Sequence, residues 1–138
     1  MFFNKSKKSE NDKSDLIKIA ALLIHAAKID DDYSTDEEEI IKKTLLDLGA
    51  TQNQLNDLIL NAKKIEENSN QILDFTREIK SLDEKNKIWI VKSLWRIIYS
   101  NKDADMYETN LMRRLSGLLY IDSKTMGDIK EQIKKENQ

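Results

Sequence analysis

Apolar residues recur along this chain at intervals of three and four, the period at which one face of an α-helix turns toward a core. Residues 1–13 read as a polar tail and residues 14–138 as one domain. Ser14 is placed to cap a first helix reaching about Ile29, with Leu16, Ile19, Leu23 and Ala26 or Ala27 on its buried side. A second helix runs from Ser34 to a stop at Gly49, since glycine tolerates positive φ. Thr51 and Gln54 have the spacing of a capping box and open a third, to about Ile65. A polar link from Glu66 to Asn70 leads to a fourth helix through Ile79. Ser81 and Glu84 form another capping-box pair, which predicts a long fifth helix to about Ser100. A sixth is expected from Asp105 to about Leu119, and a seventh from Asp122 or Ser123. The links are short, so the expected fold class is all-α, a compact bundle of about seven helices.

Composition agrees and then works mainly by exclusion. The 138 residues suit one domain; proline is absent, glycine numbers three, and a single valine leaves little that favours strands. The 23 basic and 25 acidic residues leave a net charge of −2, which gives no general attraction to nucleic acid or acidic lipid. Lys85, Lys87, Lys92 and Arg96 make the fifth helix basic, but without an interleaved aromatic stacking pattern, so no nucleic acid is expected. With no cysteine there can be no disulfide, thiolate zinc site or cysteine nucleophile; one histidine leaves no His-rich metal centre, and no ordinary catalytic triad unless its partners are unusual. The longest apolar stretch, Ile88 to Tyr99, is interrupted by Lys92 and Arg96 and is too short to span a bilayer. Met1-Phe2-Phe3 precedes Lys5, Lys7 and Lys8 without an apolar signal core, so a cytoplasmic location is expected.

An internal repeat adds independent information. Leu23 aligns with Leu94, and in the same register Ile40 and Ile41 fall on Leu111 and Met112, and Lys42 and Lys43 on Arg113 and Arg114. Leu48, Leu55 and Leu58 fall on Leu119, Met126 and Ile129 without a gap. The loops match too: Asp30, Asp32, Ser34 and Glu37 occupy relative positions 1, 3, 5 and 8, as do Asn101, Asp103, Asp105 and Glu108. Each half therefore reads as helix, acidic loop, helix, short loop, helix.

Two chemistries fit these loops. Ser34 with Glu37, and Asp105 with Glu108, have capping-box spacing, and their negative charge suits a helix N-terminus. That accounts for positions 5 and 8 but not for the oxygen groups at positions 1 and 3. Alternating oxygen side chains followed by a glutamate are how a hard cation such as Ca²⁺ gathers six to eight oxygen ligands. On that reading the metal-ligating set is Asp30, Asp32, Ser34 and Glu37 in one loop, and Asn101, Asp103, Asp105 and Glu108 in the other. Neither loop is an EF-hand, because Thr35 and Ile41, or Met106 and Met112, stand where that motif needs glycine and glutamate. The neighbouring Asp31, Asp36, Glu38 and Glu39 read as a solvated helix start. His25 and Trp95 read as packing residues, and Trp89 as partly buried.

The segments IDDDYSTDEEEIIKKTLLDLGA and SNKDADMYETNLMRRLSGLLYIDSKTM resemble the two halves of a TerB-like domain, the family named for tellurite resistance protein TerB. The resemblance covers roughly residues 15–135, and a related helical domain precedes the J-domain in DjlA-type co-chaperones. The family's loop Asp falls on Asp30 and its helix-start Glu on Glu37; in the second half these positions are Asn101 and Glu108. The loop glycines are replaced by Asp31 and Lys102, and Asn101 removes a charge. The resemblance implies an all-helical fold, no established catalysis, acidic clusters linked with divalent cations (calcium above all), and a stress-associated role beside membrane-linked partners. The expectation is thus a non-enzymatic module, with no organic cofactor, whose loops bind Ca²⁺ (alternatively Mg²⁺) and which associates with a protein partner. The alternatives are a hydrolase using Mg²⁺ or Mn²⁺, and a metal-free structural adaptor.

Overall fold

Six consecutive residues of the first helix, from Ile19 to Ile24, are all buried, so that helix is enclosed by protein rather than laid on a surface. It belongs to a computed structural model that describes residues 10–28, 35–68, 73–77, 79–99 and 106–136; side chains are described from Asp15 in the first helix, Phe75 in the fourth and Asn110 in the sixth. The helices are α1 (Glu10–Ala27), α2 (Thr35–Asp47), α3 (Leu55–Asn68), α4 (Leu73–Thr76), α5 (Glu84–Tyr99), α6 (Met106–Leu118) and α7 (Ser123–Glu136). Single 3₁₀ turns cover Gln52–Gln54 and Ile79–Ser81. The chain is all-α, as the periodicity predicts.

Two central helices organise the bundle. α1 packs most extensively against α3, and α5 against α7; α1 and α5 pack on each other, and α2 bridges both. Leu23, Leu58, Leu94, Ile98 and Ile129 belong to one continuous apolar core. The buried side expected for α1 (Leu16, Ile19, Leu23, Ala26, Ala27) is all inside, but Ala20, Ala21, Leu22 and Ile24 are buried with it. Hydroxyls tie α2 to α5: Thr44 Oγ1 and Ser93 Oγ lie 2.8 Å apart in the core, and each hydroxyl is also within reach of a carbonyl one turn earlier in its own helix, Ile40 or Trp89.

The repeat is visible in the backbone. α6 copies α2 end for end in the register read from the sequence, Met106 standing for Thr35 and Leu118 for Asp47. Both helices close in a Schellman motif with matching bonds. In the first copy Gly49 N–H donates to Leu46 and Ala50 N–H to Leu45; at the equivalent positions of the second, Tyr120 N–H donates to Gly117 and Ile121 N–H to Ser116. The left-handed residue that such a stop requires is Gly49 (φ 113°) in the first copy and Tyr120 (φ 58°) in the second.

Some boundaries differ from the expectation. α1 begins at Glu10 rather than Ser14. α3 continues through the expected link to Asn68. The fourth helix is a single turn followed by the 3₁₀ turn, because its two buried anchors, Phe75 and Ile79, do not supply enough packing to propagate a longer helix. Ser81 lies in that turn, and the cap of α5 is Asp83, whose Oδ1 accepts from Asn86 N–H at 2.9 Å. Asp122 caps α7 in the same way, accepting from Thr125 N–H at 2.7 Å.

Candidate functional site

The acidic loops lead into the first turns of α2 and α6. Asp30, Asp31, Asp32 and Ser34 in the first loop, and Asn101, Lys102, Asp103 and Asp105 in the second, lie outside the described residues. Glu108 is the third residue of α6, and its side chain likewise lies outside them. Glu37 is described, and it is the informative member of the set. It sits in the first turn of α2 and is 1% exposed, although a surface capping residue would leave its carboxylate in water. A buried carboxylate must be compensated, and Glu37 is a residue with at least one polar or electrostatic interaction. Its position follows from helix geometry: Glu37, Ile41 and Thr44 fall at i, i+4 and i+7 on the buried side of α2, while Asp36 and Glu39 point to solvent.

Glu38, expected to be a solvated helix-start residue, is half-buried and meets two lysines. Its carboxylate lies 3.8 Å from Lys42 Nζ one turn along α2, and 3.3 Å from Lys63 Nζ of α3. This local cation pair draws Glu38 toward α3 and leaves Glu37 as the inward-facing acid of the α2 start. Among the described residues no group of three or more His, Asp or Glu side chains is gathered to hold a metal ion.

A polar cluster with no counterpart in the sequence reading joins α1 to α3. Glu66, one-tenth exposed, receives Lys28 Nζ at 2.6 Å on one carboxylate oxygen, and His25 Nδ1 lies 3.3 Å from the other. The hydrogen bond to Glu66 raises the Lys28 ammonium above its ordinary range. The His25 ring lies 6.3 Å from that of Phe75, which seats α4 beside this clip. The clip escaped detection because Glu66 read as loop, whereas one further turn of α3 carries it opposite the end of α1. His25 is thus a packing histidine with a carboxylate partner, in keeping with the expectation. Trp95 is core at 2% exposed, and Trp89 is partly buried with the Arg96 guanidinium 5.7 Å from its ring centroid.

Among the described residues no helix is long and apolar enough to cross a membrane. Neither the curated proteins nor the solved structures gave a match to this chain. A family model did: that described as tellurite resistance protein TerB matches residues 16–131, spanning α1 to α7 and both acidic loops. With its repeat, its two acidic helix starts and a match over most of its length, this chain belongs to the TerB family.

Proposed function

We propose that this TerB-family chain is a non-catalytic, stress-associated module whose acidic loops bind a divalent cation, Ca²⁺ in the first instance, and thereby order a surface for a protein partner. The observation that carries the reading is the burial of Glu37 at the junction of the first loop and α2. That carboxylate terminates a series of oxygen side chains, Asp30, Asp32 and Ser34, whose hard donors suit calcium and whose net negative charge needs a counterion. When bound, the cation would neutralise the cluster and fix the loop against α2. In the second loop Asn101, Asp103, Asp105 and Glu108 form the equivalent set with the same three carboxylates, the neutral oxygen donor standing first (Asn101) rather than third (Ser34). Because α2 contacts both central helices, a loop fixed at its start is tied directly to the core.

Calorimetric titration of metal-free protein with Ca²⁺ and Mg²⁺ at physiological salt tests this, with Asp30→Ala/Asp32→Ala as control. Saturable calcium binding that vanishes in the control is expected, together with a rise in melting temperature when calcium is present. Absence of both heat and stabilisation at millimolar ion would leave the carboxylates as helix caps and the protein as a metal-free adaptor.

A further inference from the structure

Between α5, α6 and α7 lies a cavity of about 200 Å³ whose apolar wall is formed by Trp95, Met112 and Met126, and whose polar groups are Arg113, Ser116, Ser123 and Lys130. It occurs where the second repeat departs from the first. At the equivalent positions the first repeat has Ile24, Ile41, Leu45, Leu55 and Ile59, all buried in the core. In the second, Leu45 is replaced by Ser116 and Ile59 by Lys130. Asn56 is replaced by Gly127, and a Cβ built there meets nothing within 4 Å. Three substitutions thus remove side-chain volume or apolar character from one side of a wall that is otherwise kept.

What lines the space is chemically one-sided. Trp95 is 2% exposed and its indole nitrogen is inaccessible, so it contributes apolar surface to the lining. Lys130 Nζ lies 5.6 Å from the Trp95 ring centroid. Neither Lys130 nor Arg113 enters an ion pair with another described residue. The Ser116 hydroxyl is turned back on the Arg113 carbonyl at 2.7 Å. Among the described residues the lining thus holds two cations and no carboxylate. The methionines supply a soft wall that adapts to different apolar shapes. The volume is below the roughly 300–1,000 Å³ of sites for drug-sized ligands, so it suits a body about the size of a single ring.

The geometry points to a binding site for a small carboxylate with a compact apolar body. The body packs on Trp95, Met112 and Met126, and the carboxylate pairs with Arg113 and Lys130. The site is independent of the acidic loops and of any metal.

The indole N–H provides the readout. In ¹⁵N-labelled full-length protein, with the signals of Trp89 and Trp95 told apart by a Trp89→Phe variant, phenylacetate is the probe. A saturable shift of the Trp95 indole signal, reporting a ring placed against the cavity wall, is expected, with that of Trp89 unmoved. Acetate, lacking the body, and 2-phenylethanol, lacking the charge, are expected to shift it far less. Arg113→Gln/Lys130→Gln alters the cations at the cavity, leaves the apolar core intact, and is expected to weaken phenylacetate binding about tenfold or more. Gly127→Met fills the cavity from a helical position with open space and is expected to abolish the shift while the melting temperature holds or rises. An unmoved Trp95 signal at high millimolar phenylacetate, an equal response to 2-phenylethanol, or unchanged binding in the Arg113→Gln/Lys130→Gln variant would each overturn the proposal.

Discussion

The two repeats share a backbone plan and differ in how they are finished. Each has a central helix, a helix ended by a Schellman motif, and a capped helix packed back on the central one. Each is clipped by an ion pair from the central helix to the last: Glu66 with His25 and Lys28 in the first, Glu136 with Arg96 in the second. The first copy fills its interior with Ile24, Leu45 and Ile59, whereas the second sets Trp95, Ser116 and Lys130 at those positions and leaves a cavity. The lesson is that duplicating the plan freed one copy from part of the packing burden. The filled half fixes the fold, and the looser half has room for chemistry.

Exchanging residues between the copies tests that division. Leu45→Ser gives the first repeat the residue of the second at a site with no exposure, removing a buried isobutyl group and adding a buried hydroxyl. A loss of about 3–5 kcal/mol is expected in urea unfolding. The reverse exchange, Ser116→Leu, enters a cavity and is expected to leave stability unchanged or raise it by up to about 1 kcal/mol. Equal and large losses from both exchanges would show that the two halves carry the fold alike.

The helix stops make the next comparison. Gly49→Ala places a Cβ on a residue at φ 113° and is expected to cost about 1–2 kcal/mol. Tyr120 already bears that strain, so Tyr120→Gly relieves it. The gain is smaller than the Gly49→Ala loss because the Tyr120 ring also lies 5.8 Å from both Lys80 and Lys87 Nζ, contacts worth about 0.5 kcal/mol each at exposed sites. Chemical unfolding of both variants measures the asymmetry, and a Tyr120→Gly variant less stable than the parent would show that the cation contacts outweigh the strain.

These differences also mark what the sequence can express. Helical period, the internal repeat and the Gly49 stop are legible because each rests on local chemistry: spacing, oxygen side chains, a missing Cβ. The Tyr120 stop is not, since a tyrosine carries no signal for a left-handed conformation imposed by the surrounding motif. Glu37 could be placed at a helix start from its spacing, but its burial depends on how α2 lies against its neighbours. Ser116 and Lys130 look like ordinary surface residues until the core positions of the first repeat stand beside them. A site made by subtraction leaves its trace only in the comparison of two copies.

The ion-pair clips come next in size. Glu66 is one-tenth exposed and serves two partners, so Glu66→Gln is expected to cost about 1 kcal/mol. Glu136, 42% exposed and facing a partner that is 30% exposed, should cost under about 0.5 kcal/mol when changed to Gln. The first clip also has an alkaline signature. The folded-state value of Lys28 is raised by Glu66, so its contribution is complete below the ordinary lysine range and is lost as pH climbs through the folded value. Thermal melts across the alkaline range should show that slope in the parent and lose it in Glu66→Gln.

The smallest expected effect separates two caps at equivalent positions of the repeats, Thr51 before α3 and Asp122 before α7. Thr51 offers a hydroxyl and is met by Gln54, whose Oε1 accepts from Thr51 N–H at 2.9 Å, and neither side chain titrates. Asp122 is ionised, and the backbone N–H of Thr125 holds its carboxyl below the usual range. A depressed carboxyl stabilises the fold at pH values above its unfolded pKa, and that contribution disappears as pH falls through the folded value. Asp122→Ser keeps a hydroxyl cap and removes the titration. Its stability should therefore lie slightly below the parent at neutral pH and converge with it in acid, whereas Thr51→Ser should run parallel to the parent throughout. Parallel acid curves for Asp122→Ser and the parent would mean that the charge contributes nothing and that both repeats are capped by hydrogen bonding alone.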